Sequence, residues 1–195
     1  MSQTQQTLDA FLETGAYLKG HFRLTSGLHS SEYLQCAKVL QHPRLAERFG
    51  AELAAQLKPI VSNISLVVAP AMGGLIIGHE VARALGVRFI FTERDSDGKM
   101  TLRRGFTLEP GERAVLIEDV ITTGRSSKEV FEIVHQHDAE IIAAGSIIDR
   151  SGGKADLGVP RVALAVLEVT AYEATDCPLC KTGIPVVKPG SRPGS

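Results

Sequence analysis

Short apolar runs that alternate with helix-like segments constrain the fold of this chain more than any other feature. The runs occupy residues 65–69, 87–92, 114–119, 141–148 and 162–166. Between them, residues 75–85 and 126–137 carry apolar side chains at helical spacing. Strands that are apolar along their whole length are typical of parallel sheets buried on both faces and joined by right-handed crossovers. The sequence therefore predicts an α/β fold with a central, mostly parallel sheet and helices on both faces.

The segments that flank this core have a different character. Apolar spacing predicts an opening amphipathic helix that stops before Gly15, and a second helix between Pro43 and Pro59. Residues 171–195 are rich in Pro, Gly and Ser and are typical of a C-terminal appendage. We expect a single domain over 1–195, in which the N-terminal and C-terminal segments form a small hood.

The charge balance limits the possible partners. The chain has 195 residues, with 21 Lys and Arg against 22 Asp and Glu, so its formal net charge is −1. A charge this small gives no global attraction to nucleic acid or to an anionic membrane, and any anion site must be local. The three cysteines are too few and odd in number for a disulfide framework, and no apolar run could span a bilayer. We therefore expect a cytoplasmic protein.

The candidate site lies in residues 115–126, where an apolar strand ends in two acids and then a hydroxyl- and glycine-rich turn. Backbone N–H groups of the turn at 122–126, together with the positive end of the following helix dipole, can surround a phosphate. Glu118 and Asp119 would repel that phosphate, but they suit sugar hydroxyls or a Mg²⁺ ion carried by a polyphosphate. The stretch therefore favours a phosphorylated sugar as the ligand.

Two common nucleotide motifs are missing from the sequence. Neither Gly-x-x-x-x-Gly-Lys-Ser/Thr nor Gly-x-Gly-x-x-Gly after a strand is present, which argues against a mononucleotide kinase and a dinucleotide oxidoreductase. Glu118 and Asp119 could also have a purely structural role, because acids at a strand end often cap a helix or pair with lysines.

The stretch 115–126 resembles the signature with which type I phosphoribosyltransferases bind 5-phosphoribosyl 1-diphosphate (PRPP). More narrowly, the chain resembles the orotate phosphoribosyltransferases of that family, with further similar segments at 22–30, 68–74 and 148–150. The tail, with Cys-Pro-Leu-Cys at 177–180, is similar to a prokaryotic branch. The resemblance implies that orotate and PRPP give orotidine 5′-phosphate and pyrophosphate in pyrimidine nucleotide (UMP) biosynthesis, in a homodimer with a shared active site. It also implies Mg²⁺ carried by PRPP, with no direct ligand from the protein.

The same resemblance assigns roles to individual residues. Glu118 and Asp119 would bind the ribose hydroxyls, and Arg150 would meet the carboxylate of orotate, for which a guanidinium is suited. The residues implied in PRPP binding are Ala71, Met72, Gly73, Gly74, Glu118, Asp119, Val120, Ile121, Thr122, Thr123, Gly124, Arg125 and Ser126. Those implied in orotate binding are Ser26, Gly27, Thr122 and Arg150.

The polar segment 93–104 lies where the family has a flexible catalytic loop that closes over the neighbouring subunit. From the sequence alone, it is either a hairpin tip or a lid. The cationic cluster of the family is reduced to Arg94 and Lys99, and many relatives carry a lysine where this chain has Gly73. We predict that Lys99 meets the diphosphate and that Arg94 assists it, so that both join the two acids as catalytic residues. Solvated charges on a hairpin are the alternative.

Three questions stay open at this stage. The transferase could act on another base, because the PRPP loop is shared, or the chain could be a non-catalytic PRPP sensor that has lost its catalytic loop. A sensor that binds DNA would need a basic face or an added helix pair, and the sequence shows neither. Cys177 and Cys180 have zinc-knuckle spacing, which fits a structural turn, a metal site completed by histidine or by a second subunit, or redox chemistry.

Overall fold

The protein is described here by a computed structural model that covers residues 1–24 and 27–189. In chain order, its elements are α1 (Gln3–Glu13), β1 (Tyr17–Arg23), β2 (His29–Leu34), α2 (Cys36–Leu40), α3 (Pro43–Leu57), β3 (Leu66–Pro70), α4 (Gly74–Leu85), β4 (Arg88–Arg94), β5 (Met100–Leu102), β6 (Arg113–Ile121), α5 (Arg125–His135), β7 (Glu140–Asp149), β8 (Arg161–Val166), β9 (Ala171–Tyr172) and α6 (Pro178–Lys181). The helix predicted before Gly15 is α1, and the helix predicted between Pro43 and Pro59 is α3. None of the helices in the described ranges is long and apolar enough to cross a membrane.

The larger sheet has six strands in the order β5-β4-β3-β6-β7-β8. All neighbouring pairs are parallel except β4 and β5, which form an antiparallel hairpin. Alternate side chains of β3 point to opposite faces, so Val67 packs in one hydrophobic core while Leu66 and Val68 pack in the other. Helices α1, α3 and α4 contribute to the first core and α5 to the second. The predicted α/β fold, with a mostly parallel sheet covered on both faces, is confirmed.

The order of the strands creates a crevice beside β3. From β3 the chain moves to β4 on one side, and it later returns to β6 on the other. The connections that leave β3 and β6 therefore diverge, and ligands of open α/β sheets bind at such a switch point, beyond the carboxyl ends of the strands. The two glycine-bearing loops singled out in the sequence follow these two strands.

The smaller sheet joins the two ends of the chain. Strands β1 and β2 form an antiparallel hairpin, and β9 adds to the edge of β2. The C-terminal segment then returns to β1, where the backbone of Val187 donates to His21 O at 2.8 Å and accepts from Arg23 N at 2.9 Å. This is the hood expected from the sequence, although its strands were not predicted individually because their mixed polarity gives no clear period.

Helices α3 and α4 cross at very close range, and glycine makes this possible. A Cβ atom at Gly50 would lie 2.6 Å from Glu80 Cβ and 2.7 Å from the Glu80 carbonyl carbon. A side chain at Gly50 would therefore have to push the α4 backbone away.

We predict that Gly50→Ala lowers the free energy of unfolding by about 1–3 kcal/mol, the usual cost of overpacking. Helix propensity alone would give the opposite sign, a gain of about 1 kcal/mol. Urea unfolding followed by circular dichroism measures the change. The exposed neighbour Ala51, changed to Gly, calibrates propensity in the same helix, and a stabilised Gly50→Ala variant would contradict the packing argument.

Candidate active site

The loop after β3 approaches the end of β6 closely, and Gly73 lies against the Asp119 side chain. A Cβ atom at Gly73 would lie 2.5 Å from both carboxylate oxygens of Asp119. A side chain at this position would require the Asp119 carboxylate to move. Next to it, the Ala71–Met72 peptide bond is cis, and Met72 is 73% exposed, an unusual state for a large apolar side chain. The predicted pyrophosphate loop thus lines the crevice directly beside one of the two acids.

The loop after β6 opens helix α5. Gly124, the N-cap, adopts a left-handed conformation with φ 74°, and a Cβ atom there would lie 2.5 Å from Leu157 Cδ2. No side chain among the described residues caps this helix, so its first N–H groups, from Arg125 onward, have no acceptor within the helix. Thr122 and Thr123 are exposed beside them. Free N–H groups at a helix N-terminus make a site for an anion such as phosphate.

The two acids of β6 have different environments because successive side chains of a strand point in opposite directions. Glu118 is buried, and its Oε1 accepts hydrogen bonds from Ser126 Oγ at 2.7 Å and Ser127 Oγ at 2.9 Å. Asp119 is half-buried, and its Oδ1 accepts from Val120 N at 2.9 Å. The hydroxyl of Ser126, predicted to bind phosphate, therefore donates to Glu118 in this structure. Asp119 is the more accessible of the two acids.

Burial sets the protonation of this acid pair. It raises the pKa of Glu118 to about 7, and the neighbouring charge of Asp119 adds to the rise while the two serine hydroxyls oppose it. Burial also raises the pKa of Asp119, against the hydrogen bond from the backbone of Val120. Ionising both carboxyls is thus unfavourable without a ligand. Sugar hydroxyls or a cation bound to the pair would stabilise the charged carboxylates.

Arg150 follows β7 and stands beside the loop of β6, where its backbone N–H donates to Ile121 O at 2.8 Å. Its Nε is buried and has no hydrogen-bond partner within the described part of the chain. Burial lowers the pKa of Arg150, and the nearby Tyr33 and Glu32 partly oppose this effect. A half-buried guanidinium with a free donor is a ready partner for an anionic ligand.

The preceding residue, Asp149, is structural. Its carboxylate accepts from Ser151 N at 2.7 Å, Ser151 Oγ at 2.6 Å and Arg161 Nη1 at 2.6 Å. Burial alone would raise the pKa of Asp149, but these donors hold it below its ordinary value. Asp149 thus anchors the end of β7 to β8, whereas Arg150 Nε has no partner within the described residues.

The hood supplies one predicted orotate residue that the structure describes. Gly27 lies in the turn between β1 and β2, with φ 90° and its N–H donating to Leu24 O at 3.0 Å. Ser26, the other residue predicted there, lies outside the described residues. Tyr33 of β2 is half-buried, and burial together with the charge of Asp119 raises its pKa. From the sequence, two roles are open for Tyr33, which could border the base or be a core aromatic.

Segment 93–104 is a hairpin, the first of the two interpretations that the sequence left open. Arg94 is held at its base, with Nη2 at 2.7 Å from Glu129 Oε2 and Nη1 donating to Gly98 O at 2.6 Å. Its charge lowers the pKa of Glu118, so Arg94 lies within electrostatic reach of the acid pair. Lys99 is exposed at the tip, where its backbone N–H donates to Asp95 Oδ1 at 2.9 Å.

Between this hairpin and α5 lies a groove of about 530 Å³, lined by both Arg94 and Lys99. Arg94 therefore acts on Glu118 from the base of the hairpin, and Lys99 borders the same groove nearer the tip. Arg103 and Arg104, further along, pair with Glu93 at 3.8 and 2.9 Å.

Comparisons with known proteins agree with this geometry. A family model described as phosphoribosyl transferase domain matches residues 37–158. The orotate phosphoribosyltransferase of Pelotomaculum thermopropionicum is 57% identical over 182 residues, which cover 93% of this chain and 94% of the relative. That of Heliobacterium modesticaldum is 51% identical over 192 residues, which cover 98% and 100%.

Solved structures show the same architecture. Orotate phosphoribosyltransferase from Aeropyrum pernix superposes with a TM-score of 0.68 at 25% identity, over 82% of this chain and 93% of that one. Adenine phosphoribosyltransferase from Thermoanaerobacter pseudethanolicus has a TM-score of 0.60 at 18% identity, over 70% and 88%, a likeness of fold alone. The chain belongs to the phosphoribosyltransferase family, whose model covers more than half of its length. The relatives that match nearly its whole length are orotate phosphoribosyltransferases, which confirms the resemblance found in the sequence.

The raised pKa of Glu118 predicts a pH-dependent stability. A carboxyl whose pKa rises from 4.5 to about 7 on folding contributes stability below pH 4.5 that is lost as the pH rises through 7. Glu118→Gln cannot ionise, so its free energy of unfolding should exceed that of wild type by about 1 kcal/mol or less at pH 5 and by on the order of 3 kcal/mol at pH 8.

Urea unfolding at pH 5, 6, 7 and 8 measures this difference. Glu132→Gln is the matched control, because Glu132 is exposed on α5, the helix that carries Ser126 and Ser127. Curves for wild type and Glu118→Gln that stay parallel over this range would show that Glu118 is ionised at little cost in the folded protein.

Proposed function

We propose that this protein transfers the 5-phosphoribosyl group from PRPP to orotate, giving orotidine 5′-phosphate and pyrophosphate in UMP biosynthesis. The observation that carries the proposal is the half-buried guanidinium of Arg150, whose Nε has no partner among the described residues, beside a crevice formed by two anion-binding loops. The loops suit the phosphates of PRPP, and the guanidinium suits a base that carries a carboxylate. We place the enzyme in the cytoplasm and treat residues 1–195 as one domain.

Each part of PRPP has a matching surface in the crevice. The 5′-phosphate fits the free N–H groups of residues 122–126 at the start of α5. The ribose hydroxyls fit Asp119, with Glu118 behind it, as hydrogen-bond acceptors. The diphosphate fits the loop at 71–74, where the absence of a side chain at Gly73 lets the backbone approach.

The proposed reaction requires Mg²⁺, which the diphosphate of PRPP carries. The donors present fit such an ion: Asp119 offers half-exposed carboxylate oxygens, the ligand type that Mg²⁺ prefers, whereas Oε1 of Glu118 is engaged by two serines. Asp119 would hold the ion through its water shell rather than as a direct ligand. Bound there, Mg²⁺ would neutralise part of the negative charge on the leaving diphosphate.

The proposed reaction is a glycosyl transfer, and each group of residues has a separate role in it. The bond from C1 of ribose to the diphosphate oxygen breaks, and a bond from the base nitrogen to C1 forms, so positive charge develops on the sugar. Backbone donors at 71–74 stabilise the negative charge of pyrophosphate. Asp119, beside Gly73, holds the ribose next to them through its hydroxyls. Arg150 holds the base by its carboxylate, which orients the nitrogen towards C1.

The experiment that tests the function is a base panel. Protein, Mg²⁺ and PRPP are mixed separately with orotate, uracil, adenine or hypoxanthine, and pyrophosphate release is followed. We expect turnover with orotate alone. Turnover with another base would reassign the substrate, and PRPP binding without turnover would favour a sensor.

Arg150→Gln sharpens this test. Loss of a charged hydrogen bond should raise KM for orotate about 10- to 100-fold, whereas KM for PRPP should stay nearly constant. Arg113→Gln is the control, because Arg113 lies at the opposite end of the sheet and pairs with Glu140. An unchanged KM for orotate would remove Arg150 from base recognition.

We further propose a homodimer in which the hairpin at 93–104 serves the crevice of the partner subunit. The position of Lys99 supports this, because its side chain is exposed at the hairpin tip and thus accessible to a second subunit. A cation that reaches the diphosphate across a subunit interface would exclude water as it arrives.

Lys99→Ala should lower kcat by about 10²–10³ while PRPP affinity changes less than about tenfold, as expected for a contact that is strongest in the transition state. Steady-state kinetics and PRPP titration measure the two effects. Lys58→Ala, an exposed lysine at the end of α3, is the matched control. An unchanged kcat would exclude Lys99 from the mechanism.

A hybrid experiment shows which subunit supplies Lys99. Lys99→Ala and Asp119→Asn chains are unfolded together and refolded at equal amounts. If Lys99 acts across the interface, each mixed dimer has one intact site, and activity should recover to about a quarter of wild type. No recovery would place Lys99 in the site of its own subunit.

A further inference from the structure

Four metal-binding side chains meet in the hood, apart from the acids and loops of the crevice. They are His21 of β1, His29 of β2, and Cys177 and Cys180 at the start of and within α6, and we call them the His–Cys cluster. Their ligand atoms all lie within 4.8 Å of one another. Three of the four residues are buried, and only Cys180 is exposed. The fold thus gathers soft ligands from two distant parts of the sequence at one point.

The distances in the cluster are close to those around a tetrahedral zinc ion. Zn–N bonds of 2.0–2.1 Å and Zn–S bonds of 2.3 Å place nitrogen and sulfur ligands about 3.6 Å apart. The observed separations are 3.6 Å from Cys177 Sγ to His21 Nε2, 3.7 Å from Cys180 Sγ to His21 Nε2, and 3.3 Å from Cys180 Sγ to His29 Nδ1. His21 Nε2 and His29 Nδ1 are 2.8 Å apart, so an ion would part them by about half an ångström.

A backbone contact outside the cluster prepares one of the ligands. His21 Nδ1 lies 2.7 Å from Ile184 O, and a carbonyl oxygen can only accept a hydrogen bond. Nδ1 therefore carries the proton, which leaves the lone pair of Nε2 directed at the two sulfurs. Histidines that bind metals are usually oriented by such a hydrogen bond from the other ring nitrogen.

We propose that the His–Cys cluster binds one structural Zn²⁺ ion that fastens the C-terminal segment to the N-terminal hairpin. Two thiolates and two imidazoles are the soft and intermediate donors that select zinc over Mg²⁺. Four protein ligands leave no open position for substrate or water, which is typical of structural rather than catalytic zinc. The site is therefore independent of the Mg²⁺ ion proposed for the crevice.

The surrounding contacts explain why an ion is needed here. The C-terminal segment is otherwise tied to the hood by the two-residue strand β9, by the backbone bonds of Val187, and by the contact of Ile184 with His21. Within residues 171–189 these contacts are few, and a metal links this segment to both strands of the hairpin at once. Cys36, the remaining cysteine, is buried at 3.9 Å from the carbonyl oxygen of Asp119 and takes no part.

Metal analysis of the full chain tests the proposal. The protein is produced with zinc in the medium, purified with a reductant and dialysed against metal-free buffer containing Mg²⁺. We expect about one zinc per chain by mass spectrometry, and X-ray absorption showing two sulfur ligands at about 2.3 Å and two nitrogen ligands at about 2.0–2.1 Å. Zinc below about 0.1 per chain, or a first shell without two sulfurs, would overturn the proposal.

Matched variants assign the ligands. Cys180→Ser and His29→Ala should each lower the zinc content at least about tenfold, because a site of three ligands holds structural zinc poorly. Cys36→Ser and His135→Ala change the same residue types outside the cluster and should keep about one zinc per chain. Equal loss in ligand and control variants would contradict the assignment.

A measurement on the wild-type chain avoids any variant that fails to fold. Zinc is removed with a chelator under reducing conditions, and hydrogen exchange is followed by mass spectrometry before and after. Exchange in residues 17–34 and 173–187 should become at least about tenfold faster, with α3 and β6 unchanged, because the metal stabilises only the hood. Readdition of zinc should restore protection, and equal protection with and without zinc would overturn the structural role.

Discussion

The close approach of Gly73 to the Asp119 carboxylate is the contact on which the rest of the crevice depends. It brings the loop after β3 against the end of β6, at the one place in the sheet where the chain moves off in opposite directions. A side chain at position 73 would displace the Asp119 carboxylate from its present position. The loop at 71–74 has no cationic side chain, so in the proposed reaction the positive charge for the leaving group would come from Mg²⁺ and from other elements of the protein.

The crevice carries two acidic residues and one basic residue, and each is partly or fully buried. Glu118 and Asp119 are hard to ionise because burial raises the pKa of each, whereas Arg150 is a half-buried cation with a free donor. The charged forms of these groups are unfavourable in the protein without a ligand. A ligand that brings hydroxyls, a cation and a carboxylate would stabilise all three charges. Ligand binding and the stability of this region are therefore linked.

The hood connects the two ends of the chain and lies beside the crevice through β2. Tyr33 of β2 is close enough to Asp119 and Arg150 for their charges to act on it, while His29 of the same strand belongs to the His–Cys cluster. One short strand thus carries residues of both regions. A metal that fixes this strand would also fix the wall of the crevice, without contact with the substrate.

The sequence by itself determined the α/β class, the loops at 71–74 and 122–126, and the pairing of Glu118 with Asp119, because apolar periodicity and glycine placement are local signals. It left open whether 93–104 is a hairpin, gave no strands for the hood, and found only half of a metal site in Cys177 and Cys180. Those features depend on contacts between residues far apart in the chain. Only the tertiary structure decided that Ser126 and Ser127 hold Glu118, and that two histidines from the N-terminal hairpin meet the cysteines of the tail.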